Sequence, residues 1–193
     1  MAHLLVLYGT SEGQTRKIAR FIADTLRDRA HTVDLVAASE VEDSLSTDAY
    51  DGVIVGASVH SGQHQAAVST FVTNHRSVLN RRPSAFFSVS LAVLDEDHHE
   101  EAERYVSNFL DETRWAPDEV ATVAGALRYT KYSVIKRFIV KQISKSGGRP
   151  TDTSRDFEFT DWDQVARFVD RFLQHVESPD AERTLSSQST SPS

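Results

Sequence analysis

Short apolar segments alternate with amphipathic ones along nearly the whole chain, and few architectures accommodate that alternation. The apolar runs are 3–8, 32–37, 52–57, 84–89 and 120–126. They are rich in β-branched or aromatic residues, as strands buried on both faces tend to be. Between and after them, 15–29, 65–80, 98–113 and 161–175 carry apolar residues at helical spacing. In the first of these, Ile18, Ala19, Ile22, Ala23 and Leu26 share one face. Thr160 or Asp161 is placed to cap the last helix. The acidic stretch 39–48 holds only a short helix. Strands alternating with helices imply an α/β fold, a doubly wound, five-stranded parallel sheet joined by right-handed crossovers. With strand order 2-1-3-4-5, a ligand crevice opens at the carboxyl ends of strands one and three.

The first strand–helix junction lies at that crevice and reads Thr10-Ser11-Glu12-Gly13-Gln14-Thr15. Free backbone N–H groups and the positive end of a helix dipole converge at such a junction and attract an anion. The hydroxyls of Thr10, Ser11 and Thr15 add donors, and Gly13 allows a positive φ or a close approach of the backbone. The loop contains no Lys or Arg, so a phosphate there is held by neutral donors. Gly9 and Gly13 are too close for a P-loop, Gln14 replaces its lysine, and the Gly-x-Gly-x-x-Gly dinucleotide pattern is absent. The remaining T-x-x-G-x-T pattern resembles the loop that holds the phosphate of flavin mononucleotide (FMN) in flavodoxins.

A flavin with its phosphate at 10–15 needs its ring gripped by the loops after strands three and four. Those are Ser58, Val59, His60, Ser61 and Gly62, and Ser88, Val89, Ser90 and Leu91. Backbone groups there suit the pyrimidine edge of the ring, while Val59 or Leu91 covers a face. Neither loop offers the aromatic residue that electron-transfer flavodoxins commonly stack on the ring, which leaves the ring open to a substrate.

Other patterns are weaker. Gly56-Ala57-Ser58-Val59-His60 lacks the second glycine of a nucleophile elbow. His60 and His64, and the cluster His98-His99-Glu100-Glu101, lack a second ligand set at metal-binding spacing and read as solvated side chains. No metal is expected. The absence of cysteine excludes disulfides, iron–sulfur clusters and thiolate chemistry. The chain of 193 residues carries a net charge of −7, which gives no reason to expect nucleic acid as a partner. No apolar run is long enough to span a bilayer, and no room precedes the first strand for a signal peptide, so the cytoplasm is expected.

One segment departs from the acidic balance. Between Glu119 and Asp152 there is no acid, while Arg128, Lys131, Lys136, Arg137, Lys141, Lys145 and Arg149 are all basic. Within 131–145, Val134, Ile135, Phe138, Ile139 and Ile143 form an apolar helical arc, with the bases mainly opposite. A basic amphipathic helix suits an anionic membrane surface; it equally suits packing on a core with its lysines solvated. The Ser-rich stretch 177–193 reads as a disordered tail.

Several blocks together carry a family resemblance: Tyr8 to Arg16, Ile54-Val55-Gly56-Ala57-Ser58, Pro83 to Val89, Ala124 to Tyr129, and Thr160-Asp161-Trp162. In order and spacing they resemble the flavodoxin-like, menaquinone-dependent protoporphyrinogen IX dehydrogenases, from residue 3 to about 175. The resemblance implies a flavodoxin-like FMN-binding domain over 1–176, with an insert at 128–150 after strand five. It implies oxidation of protoporphyrinogen IX to protoporphyrin IX in haem synthesis, with FMN relaying electrons to a quinone. Phosphate contacts carry over to Thr10–Thr15, and ring contacts to 58–62, 88–91, Gly125 and Ala126. Ser90–Glu101 departs from the family pattern and is acidic here. No protein acid or base is assigned, because the flavin itself carries the redox chemistry. A location on the inner face of the cell membrane, through 131–145, fits a quinone partner. The alternatives are a flavodoxin-type electron carrier or another FMN-dependent, quinone-linked reductase. The oligomeric state stays open.

Overall fold

A computed structural model describes residues 1–11, 13–42, 45–92, 99–127 and 157–178. Five parallel strands form its centre: β1 (His3–Gly9), β2 (Thr32–Ala37), β3 (Gly52–His60), β5 (Ser84–Ser90) and β6 (Glu119–Ala124). Their order across the sheet is β2-β1-β3-β5-β6, the expected 2-1-3-4-5 arrangement; the two-residue β4 (Gln63–His64) folds back antiparallel on β3. Among the described residues four helices cover the sheet: α1 (Gln14–Asp28), α2 (Ala66–Leu79), α3 (His99–Thr113) and α4 (Trp162–Glu177). Short 3-10 turns at Ala38–Glu40 and Thr47–Ala49 occupy the acidic stretch.

Period-two alternation in the strands divides the interior into two layers. Leu4 and Val6 of β1, Ile54 of β3 and Phe87 of β5 face α1 and α4, meeting Ile18, Ile22, Phe168 and Phe172. Leu5 and Leu7, Val53 and Val55, and Phe86 face α2 and α3, meeting Phe71, Val72, Val106 and Phe109. Trp115 closes the second layer at 2% exposure, its indole N–H donating to Ser84 Oγ at 3.1 Å. Each such side chain contributes about 1.5–3 kcal/mol by leaving water. Gly56 stands opposite Phe87 in register, and a Cβ on it would fall 1.9 Å from Phe87 Cζ. The glycine therefore lets that ring lie across β3.

Three boundaries differ from expectation. β3 continues through Ser58, Val59 and His60, so the supposed loop at 58–62 is a β-hairpin. Its turn residues, Ser61 (φ 51) and Gly62 (φ 81), have the paired positive φ of a tight two-residue connection. The last sheet strand stops at Ala124, and β7 (Ala126–Leu127) pairs instead with β8 (Phe157–Glu158). The whole expected insert 128–150, with its basic segment 131–145, and all of 179–193 lie outside the described residues. The last helix reaches Glu177, where the tail was expected to start.

Candidate functional site

Strand register brings the expected site residues to one edge of the sheet. Gly9 pairs with Ala57, Ala57 with Ser88, and Ser88 with Thr122, so the chain leaves β1, β3, β5 and β6 side by side. The loop after β1 is held by its own residues. Gly13 adopts φ 92 as the cap of α1, and its N–H donates to Thr10 Oγ1 at 2.8 Å. Gln14 Nε2 donates to Thr160 Oγ1 at 2.9 Å, and that hydroxyl donates to the Ala124 carbonyl at 3.0 Å. The phosphate-type loop is thereby tied to the end of β6. Thr15 is 1% exposed, and its Oγ1 is a buried oxygen without a hydrogen-bond partner. Glu12 lies outside the described residues.

The hairpin and β5 supply the other walls. Ser61, Gly62 and His60 are exposed at the hairpin tip, while Val59 pairs with His64 across it. Ser88 and Val89 are buried, so these two residues turn their side chains into the fold. Ser90 Oγ accepts from the Ala92 N–H at 2.9 Å, and the Ser90 carbonyl accepts from the Gly125 N–H at 3.3 Å. Leu91 is 40% exposed at this edge. Ala126 begins β7 beside Gly125.

Reading His64 as a solvated histidine was incorrect. Its ring packs 4.8 Å from Phe109 and 5.4 Å from Phe86, and its Nε2 meets Ser88 Oγ at 2.9 Å. Burial pushes its pKa down to about 4, so the ring is neutral at physiological pH. His60 remains exposed, as expected. Among the described residues no group of three or more His, Asp or Glu side chains is placed to hold a metal. No described helix is long and apolar enough to cross a membrane.

Gln65, which no sequence pattern marks, bridges the loop after β1 and the end of β3. Its Nε2 donates to Ser11 Oγ at 3.0 Å and also to Ser58 Oγ. No local motif marks it; only the approach of β1 to β3 makes it a neighbour of both serines. Beyond the loop, Lys17, Arg20, Phe21, Asp24, Thr160 and Trp162 line an open groove along α1. Lys17 Nζ lies 5.5 Å from the centre of the partly buried Trp162 ring, which also packs 4.8 Å from Phe21.

The family model described as flavodoxin domain matches residues 5–154. Over 176 residues the chain is 38% identical to the protoporphyrinogen IX dehydrogenase [quinone] of Escherichia coli K12, covering 91% of this chain and 97% of that protein. This chain belongs to the flavodoxin domain family, among the protoporphyrinogen IX dehydrogenases. The dehydrogenase of Leishmania major is 35% identical over 173 residues, covering 87% of this chain and 73% of its own. Among solved structures, a short-chain flavodoxin associated with a non-canonical PDU bacterial microcompartment superposes with a TM-score of 0.59 at 15% identity, covering 91% of this chain and 99% of its own. Oxidised flavodoxin 1 of Bacillus cereus gives 0.56 at 18%, covering 90% and 98%. At those identities the solved structures establish this chain's fold and nothing further.

Proposed function

We infer that this protein is an FMN-dependent oxidoreductase that oxidises protoporphyrinogen IX to protoporphyrin IX, in haem synthesis, with a quinone as electron acceptor. The observation that carries this reading is the likeness to a dehydrogenase of that name over 97% of its length. The residues present suit the cofactor. Thr15 Oγ1 is buried in the first turn of α1, beside the hydroxyl-rich loop, and has no partner among the described residues, as suits an oxygen that would meet a phosphate. Bound there, FMN would supply the redox chemistry by which the porphyrinogen gives up hydrogen and the quinone is reduced.

Within this reading, Thr10, Ser11, Glu12, Gly13, Gln14 and Thr15 hold the phosphate. Backbone groups of 58–62, 88–91 and Gly125–Ala126 hold the ring, and Leu91 supplies apolar cover. His64, kept neutral by its aromatic surroundings, anchors the hairpin to β5 and adds no charge beside the ring. The basic segment 131–145 would hold the protein at an anionic bilayer that contains the quinone, which places it peripherally on the inner face of the cell membrane. The deciding experiment is anaerobic turnover of protoporphyrinogen IX with a menaquinone analogue, followed by porphyrin fluorescence. Porphyrin should form in proportion to quinone reduced. Flavin reduction without turnover, with rapid electron transfer to a soluble protein acceptor, would assign a carrier instead.

A further inference from the structure

We propose that Gln65 is a cofactor-positioning residue that fixes the hydrogen-bonding sense of two serines, so that both act as donors toward bound FMN. The proposal rests on the FMN reading above and adds a residue to it. Gln65 caps α2 directly after the β3–β4 hairpin. Its Nε2 reaches Ser11, in the loop after β1, and Ser58, on β3. A serine oxygen accepts as well as donates, and its proton turns toward whichever acceptor remains. With each oxygen occupied by an amide N–H, both protons are left for an incoming acceptor. Phosphate oxygens and flavin carbonyls are such acceptors.

The surroundings favour this orientation of the carboxamide. Gln65 Oε1 is buried without a partner, and a Cβ built on Gly9 would lie 3.0 Å from it. Reversing the amide would put the NH2 group in that pocket, stranding two buried donors in place of one acceptor. It would also draw both serine protons inward. One side chain thus serves the loop after β1 and the end of β3, so occupancy of the phosphate loop and of the hairpin wall is coupled through it.

The test titrates apoprotein with FMN, with riboflavin, and with riboflavin in inorganic phosphate, following flavin fluorescence. In the unaltered chain, FMN binds more tightly than riboflavin, and phosphate strengthens riboflavin binding. Gln65→Glu can only accept, so it captures both serine protons and adds negative charge; its Kd for FMN should rise about 100-fold, and for riboflavin less than about tenfold. Gln65→Leu should weaken both flavins about tenfold and abolish the effect of phosphate on riboflavin. Circular dichroism and thermal melts verify that each variant is folded. An unaltered chain that binds no FMN overturns the cofactor reading and the proposal with it. Tight FMN binding by the unaltered chain, with either variant titrating like it, overturns the role of Gln65 alone.

Discussion

Thr15 Oγ1 is an oxygen that the folded chain buries and leaves without a partner. An unmet buried polar group costs about 1–3 kcal/mol, and replacing it by a methyl of the same shape removes that cost. Thr15→Val should therefore leave the apoprotein as stable as before or up to about 1 kcal/mol more so, while raising the Kd for FMN about tenfold. Paired thermal melts and fluorescence titrations read the two opposite signs; a loss of stability without FMN would show the hydroxyl to be structural. At this scale legibility was uneven. Gly13 was readable because its role is local, a glycine taking a positive φ, while the Thr10 hydroxyl, expected as a donor, also accepts from the Gly13 N–H. Gln65 and Thr160 act through strands and loops distant in sequence, so no spacing rule marks them as part of the site.

The β3–β4 hairpin is the element least legible in the sequence. Its turn, Ser61-Gly62, lacks the Asn-Gly or Asp-Gly pair that usually announces such a connection, and its returning strand is two residues long. The setting of His64 is equally illegible in sequence, since Phe86 and Phe109 meet its ring only once β5 and α3 are in place. Its buried ring gives the element a pH dependence. The folded-state pKa is lowered from 6.5 to about 4, so above pH 6.5 both folded and unfolded chains hold it neutral and its contribution to stability is complete. As pH falls from 6.5 toward 4, the unfolded chain binds a proton that the folded chain refuses. Stability then declines, by at most about 1.4 kcal/mol per pH unit. His64→Gln should flatten this part of the profile, read as the difference in Tm between variant and unaltered protein across that range. Parallel profiles would mean that the ring is solvated after all.

For the whole molecule, the parallel sheet and its two-layer core were legible in the apolar periodicity and the alternation of strands with helices, whereas the strand order came from the resemblance to flavodoxins. The charge reversal at 131–145 was equally plain, and it yields a prediction about the assembled protein. Changing Lys136, Arg137, Lys141 and Lys145 together to Gln should leave FMN content and the thermal transition unaltered. The same variant should lose binding to anionic vesicles, each cation having supplied about 1 kcal/mol near such a surface. High salt should weaken the unaltered protein in parallel. Normal vesicle binding with loss of flavin would instead make the segment part of the core. The two tryptophans stand in different parts of this assembly. Trp115 is sealed between sheet and helices, whereas Trp162 borders the open groove two residues beyond Thr160, which binds Gln14. The chain thus carries two separate optical reporters. Acrylamide should quench Trp162 emission and spare Trp115, and in Trp115→Phe the remaining signal should follow flavin entering the loop before any unfolding occurs.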